Sequence, residues 1–163
     1  MMIYFYEDLS VGDVFESGGY EVTEEEIVRF ARDYDPQPFH VLGQPLIEPL
    51  YEGLIASGWH IGAVCIRQMT DALLLRCAVY CSPGVGDVRF HAPMYPGDVV
   101  KTRVEVMAKR PPGRDPRRAA ITLEAQLSNS AGQLLLSMRP TVLFARREVV
   151  SLLSESSVPP GGQ

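Results

Sequence analysis

Apolar and polar positions along this chain change period several times. From Thr23 the segment TEEEIVRFARDY places Ile27, Phe30, Ala31 and Tyr34 on one face at helical spacing. Thr23 and Glu26 have the spacing of a capping box, and Glu24, Glu25 and Glu26 suit the positive end of a helix dipole. Pro36 disfavours helical geometry at Asp35, so this helix is predicted to end there. A short strand with Tyr20 and Val22 is expected just before it. From Val41 to Tyr51 the chain reads as a loop with Pro45 and Pro49.

GLIASGWHIGAVCIRQMTDALLL, beginning at Gly53, is apolar nearly all round until Arg67 and reads as one buried helix, with Trp59 in the core. Gly53, Gly58 and Gly62 are poor helix formers, so their expected use is close approach by a strand or a ligand. Beyond it the period becomes two. Val100, Thr102, Val104 and Val106 alternate with Lys101, Arg103 and Glu105, and Ile121, Leu123, Ala125 and Leu127 alternate with polar residues in the same way. VRFHAP is a short strand ending at Pro93, and LLLSMRPTVLFA is the last. Turns fall at Pro96-Gly97-Asp98 and NSAG, and KRPPGRDPRR is a long hairpin loop.

The expectation is a single α+β domain over residues 1–150, a curled antiparallel sheet wrapped around a long central helix. A mobile tail is expected over 151–163. One curled sheet cannot cover a helix that is apolar all round. A homodimer, or a multiple of dimers, is therefore expected.

The chain has 163 residues, enough to bury a core without disulfides or a structural metal. The formal charge of −5 argues against nucleic acid. The longest uncharged apolar run, Gly53 to Ile66, falls short of the roughly 20 residues that span a bilayer. Cys65, Cys77 and Cys81 form no metal-ligand pattern. With no signal peptide at the start, they point to a reduced, cytoplasmic setting.

The segment DPQPFH sets Asp35 and His40 five residues apart around two prolines. Read by itself, Asp35 is either a turn-capping residue or one half of an acid–imidazole pair. His60 and His91 read as structural residues, although His60 shares a helical face with Gly53 and Ser57 and is placed to line a pocket. Ser57 lacks the strand-elbow context of a nucleophilic serine and reads as a small packing or backbone-bonding residue.

Three stretches together, Asp35-Pro36-Gln37-Pro38-Phe39-His40, Gly53-Leu54-Ile55-Ala56-Ser57-Gly58-Trp59-His60 and Pro96-Gly97-Asp98, resemble the MaoC-like dehydratase family, which includes the R-specific enoyl-CoA hydratases. The likeness covers about residues 5 to 147. It implies a hotdog fold and a hydratase or dehydratase acting on an acyl-CoA thioester, with coenzyme A present only as part of the substrate and no metal or other cofactor. It implies that Asp35 and His40 hold and activate a water. It also implies that Gly53, at the start of the central helix, donates its amide to the thioester oxygen. Tyr51, Glu52, Leu54, Ser57 and His60 are then candidates to line the substrate site. Two positions depart from the family pattern: Glu52 stands where histidine is common, and Ile61 where the helix often carries a hydroxyl.

Arg114, Arg117 and Arg118 sit in a basic loop with one acid, Asp115. They form either a solvated hairpin tip or a clamp for the phosphates of coenzyme A. Two rivals to hydration share the fold: a thioesterase, kept open by Glu52, and a non-catalytic acyl-binding or subunit-pairing module.

Overall fold

The computed structural model describes residues 3–44 and 50–147. Pro45, Pro49 and the 151–163 tail lie outside the described residues. In chain order the elements are β1 (Val14–Glu16), β2 (Tyr20–Glu21), α1 (Glu24–Tyr34), α2 (Pro38–Val41), α3 (Gly58–Ala72), β3 (Val79–Phe90), β4 (Val99–Arg110), β5 (Arg118–Asn129) and β6 (Leu134–Ala145). The strands form one antiparallel sheet in the order β1-β4-β5-β6-β3, with β2 also pairing β4.

The alternation read from the sequence sets the inner face of this sheet. Val100, Thr102, Val104 and Val106 of β4 are all fully buried, as are Ile121, Leu123, Ala125 and Leu127 of β5. Their polar neighbours point the other way, as a period of two requires. The sheet curls over α3, whose Ile61, Val64, Cys65 and Met69 join the same core. Thr102 is the polar exception on the inner face, and it is satisfied by donating to Gln68 Oε1 at 2.8 Å.

Four expectations need correction. The central helix begins at Gly58, five residues later than expected, and residues 54–57 lie in no regular element. The Ile55 amide donates to the Phe39 carbonyl, the Ala56 amide donates to the Met94 carbonyl, and Ser57 serves as the N-cap. Trp59 is 68% exposed rather than in the core. The face of α3 carrying Ile61, Cys65 and Met69 enters the core, and Trp59 lies off that face. His40 is carried by the one-turn helix α2, opened by Pro38. The strand expected over VRFHAP is much longer and starts at Val79. It is an edge strand with every residue exposed, so it has no buried face for a pattern to reveal. Its register against β6 shifts in three places, and Asp87 adopts a left-handed φ of 51° within it. Tyr34 is also exposed, since only Ile27 and Ala31 of α1 reach the core.

Among the described residues no helix is long and apolar enough to cross a membrane.

Phe144 is the largest fully buried side chain, on β6 beneath α3. Phe144→Ala should lower the unfolding free energy by about 3–5 kcal/mol, read as a reduced urea midpoint. A change below about 1 kcal/mol would show that the core is not centred there.

Candidate active site

The site is assembled where three helix ends meet. Thr23 caps α1 through a reciprocal pair: its hydroxyl accepts from the Glu26 amide and its own amide donates to Glu26. The turn Pro96-Gly97-Asp98 anchors this helix entrance. The Gly97 amide donates to the Val22 carbonyl at 2.7 Å, and the Val22 amide donates to the Asp98 carbonyl at 2.9 Å. At its other end α1 closes with the Asp35 amide bonded to the Ala31 carbonyl. Asp35 itself leaves the helical region, at φ −152° and ψ 68°, in keeping with a following proline that disfavours helical geometry.

The Asp35 carboxylate is held on both oxygens. Oδ1 accepts from the Gln37 side-chain amide at 2.8 Å, and Oδ2 accepts from the Ser57 hydroxyl at 2.6 Å. Ser57 is fully buried and its oxygen also accepts, at 3.3 Å, from the Trp59 amide in the first turn of α3. His40 is buried on α2, with its Nε2 3.5 Å from Asp35 Oδ2 and its Nδ1 2.8 Å from the Ile55 carbonyl oxygen. A carbonyl can only accept, so Nδ1 carries the proton of the neutral ring. Nε2 is then a bare acceptor facing a carboxylate oxygen. Two acceptors at that separation are matched by a shared proton or by the two hydrogens of one water.

The charge on Asp35 is stabilised. The Ser57 hydroxyl is the largest cause holding its carboxyl below the ordinary aspartate value of 3.8, partial burial opposes it, and Gln37 and His40 add to the lowering. Cysteine offers no competing nucleophile in the core, because burial pushes the Cys65 and Cys77 thiols up to about 11.

Of the residues singled out from the sequence, Asp35, His40 and Ser57 are brought into contact. His60 lies about one turn further along α3. Tyr51, Glu52 and Gly53 are exposed, and Gly53 adopts a left-handed φ of 73° well before α3 begins. Leu54 is half-buried against the core, with its backbone so close to Gly43 that a Cβ there would stand 2.9 Å from the Leu54 nitrogen. Gly53 is therefore not at the helix start, and the first amides of α3 belong to Gly58 and its neighbours. Ile61 is core, and the hydroxyl of this region is Ser57 at the cap. Arg117 and Arg118 both pair with Asp115 in the β4–β5 hairpin. His91 is exposed and bonds Ser137 at 2.8 Å. Gln37 and the Ile55 carbonyl were not foreseen. Gln37 lies inside the DPQPFH segment and was open to notice, whereas a backbone carbonyl carries no sequence signal.

The MaoC like domain family matches residues 10–126. The chain belongs to this family. The MaoC-like dehydratase of Rhodospirillum rubrum is 32% identical, with a TM-score of 0.80 over 88% of this chain and 98% of that one. The R-hydratase PhaJ1 of Pseudomonas aeruginosa, at 23% identity and a TM-score of 0.68 over 88% of this chain and 86% of its own, shares the fold. An uncharacterized protein of Bacillus subtilis (strain 168), YdeM, is 29% identical over 105 residues, 64% of this chain and 74% of that protein. The curled sheet around α3 is thus the hotdog fold of the MaoC-like proteins.

A depressed carboxyl pKa stabilises the fold fully above the unfolded value, and that contribution is lost as pH falls through the folded one. Ser57→Ala should raise the Asp35 pKa, seen by carbon NMR titration of its carboxyl. The stability gap to the parent should be present at neutral pH and narrow below about 3.8, leaving only the lost helix cap, about 1 kcal/mol. An Asp35 titration unmoved by Ser57→Ala would show that this hydroxyl does not hold the charge.

Proposed function

We propose that this MaoC-like protein adds water to, or removes it from, the C2–C3 bond of an enoyl-CoA-type thioester. The observation that carries the reading is the Asp35–His40 geometry. His40 Nε2 is left bare by the Nδ1–Ile55 bond and faces Asp35 Oδ2 across 3.5 Å. In hydration, a water held by both groups gives one proton to Nε2 as its oxygen bonds to C3. The electron pair of the double bond moves toward C1, and negative charge collects on the thioester oxygen. The pair then delivers a proton to C2, so one water has been added and both residues are restored. Dehydration is the same path reversed.

The thioester oxygen needs donors while it carries charge. This role, expected of Gly53, passes to the first turn of α3, where amides have no partner within the helix and the dipole favours an anion. Gly58 is the first of these residues. Its missing side chain leaves room for the Phe90 ring, which would stand 3.0 Å from a Cβ. Glu52, on which hydrolysis would depend, is exposed, and the partners of the Asp35–His40 pair are Gln37, Ser57 and the Ile55 carbonyl.

Coenzyme A phosphates would meet the β4–β5 hairpin. There Arg117 and Arg118 share Asp115, while Arg110 and Arg114 border a cavity of about 420 Å³ and have no ion-pair partner among the described residues. Arg114 is therefore the strongest phosphate ligand of the three arginines named from sequence.

Two copies are proposed to pair over the uncovered side. Every residue of β3 is exposed, Phe90 among them, and on α3 Trp59, which meets Phe90, and Ile66 also present apolar surface. Light scattering should give twice the chain mass at micromolar concentration, and a folded monomer there would remove this pairing.

Asp35→Asn and His40→Ala should each lower kcat for enoyl-CoA hydration by about 10²–10⁴-fold with little change in KM. The double variant should be hardly worse than either alone, because groups acting on one water are strongly non-additive. Loss of the enoyl ultraviolet absorbance is the assay. Folded single variants that both keep near-parent rates would refute the assignment.

A further inference from the structure

A second cavity, of about 480 Å³, runs along α3 from His60 past Ala63, Val64 and Gln68 toward Arg67 and Asp71. Phe30 and the Ser17–Tyr20 turn form its opposite wall. Its near end lies about one helical turn beyond Ser57, so it leads away from the Asp35 cluster. The volume is within the usual range for small-molecule sites.

The polar side chains of this groove differ in one respect. The Gln68 amide donates to the carbonyls of Gly18 and Val100, and its oxygen accepts from Thr102. Tyr20 donates to Glu26. The Ser17 hydroxyl donates to the Gly18 carbonyl and accepts from the Thr102 amide. Arg67 and Asp71 pair with each other. His60 is 7% exposed, stacks on Phe30 with ring centroids 4.8 Å apart, and has its Nδ1 sealed from solvent without any partner.

A buried imidazole with no partner is an exception to the general rule of satisfied polar groups. Burial holds its pKa below the ordinary histidine value, against the pull of Glu26, so the ring is neutral and carries one N–H. An orphaned lone pair is more tolerable than an orphaned N–H. The proton therefore belongs on Nε2, the nitrogen left to meet a ligand.

We propose that the groove takes the acyl chain, and that His60 selects a chain bearing an uncharged oxygen acceptor (ether, hydroxyl or keto) a few carbons beyond the reacting bond. This rests on the thioester reading above. Walls of Phe30, Ala63 and Val64 suit the carbon chain, and the single N–H suits one oxygen. A carboxylate fits less well, because Glu26 lies close to the ring and Arg67 is committed to Asp71.

The test reads binding, not turnover. Calorimetry compares hexanoyl-CoA with a panel of analogues in which one methylene from C4 to C6 is replaced by an ether oxygen. At least one analogue should bind about tenfold more tightly than hexanoyl-CoA, the worth of one well-placed hydrogen bond. His60→Leu should abolish that preference, and His60→Gln, which keeps an N–H donor, should retain part of it. In the parent, the His60 Nε2 nitrogen resonance should shift with the ether analogue and not with hexanoyl-CoA, which decides the matter even where His60→Leu does not fold. Equal binding across the panel, a preference that survives His60→Leu, or an unmoved Nε2 resonance would each overturn the proposal. Because saturated thioesters cannot be hydrated, the preference stands even if enoyl turnover is nil, so failure of the reaction and failure of the groove are told apart.

Discussion

The hydrogen bond from Ser57 to Asp35 is the joint on which the rest of the site depends. Asp35 stands at the carboxyl end of α1, where the helix dipole disfavours an anion. Its charge is kept there because the amino end of α3 approaches from the other side. The Trp59 amide donates to Ser57 Oγ, and Ser57 Oγ–H donates to Asp35 Oδ2, so a chain of donors runs from the positive end of one helix to a carboxylate at the negative end of another. Such chains polarise one another, which strengthens each link. The serine that begins α3 thus also sets the ionisation of the acid that ends α1.

His40 is positioned by the same segment through its backbone. Ahead of α3, the Ile55 and Ala56 amides are bonded to the Phe39 and Met94 carbonyls, which holds this segment against α2 and the β3–β4 connection. Outside the helix, the Ile55 carbonyl is free to accept from His40 Nδ1 and fixes which nitrogen faces Asp35. Delaying the helix by five residues is therefore what orients the imidazole. Met94 in turn belongs to the stretch whose Tyr95–Asp98 turn bonds Val22 at the entrance of α1. The entrance of α1 and the segment that leads into α3 are thus both tied to one short connection between β3 and β4.

Legibility from sequence followed burial. β4, β5 and β6 could be read because one face of each is sealed against α3, and selection for apolar residues at every second position leaves a visible period. β3 could not, since it has no sealed face and contains Pro83, Gly84 and Gly86 amid register shifts. The start of α3 is hidden in the sequence because GLIAS is as apolar as the helix that follows, and its backbone partners, Phe39 and Met94, are distant in sequence. Trp59 is hydrophobic enough to suggest the core, although its phase relative to Ile61 and Cys65 sets it off the core face. Asp35 and His40 were legible as a close pair because two prolines confine them. Ser57 is legible as a small or backbone-bonding residue and, through the resemblance, as a lining residue, but not as the partner of Asp35, which is 22 positions away and meets it only once α1 and α3 have packed.

The uncovered side of α3 is not remote from this chemistry. Gly58 follows Ser57 directly, and the space where its side chain would stand holds the ring of Phe90 at the end of β3. Trp59 meets the same ring edge-on at 6.3 Å. Phe90 is half exposed, so on an isolated chain the first turn of α3 is buttressed by a side chain that solvent reaches. A second copy seated on β3 would press Phe90 against Gly58 and exclude water from the same turn that caps Asp35. Electrostatic donors are worth most where water is kept out. Under the pairing proposed above, the subunit contact would thus complete the wall of the site, and α3 would be apolar on its outer face for the same reason that it begins with a buried serine.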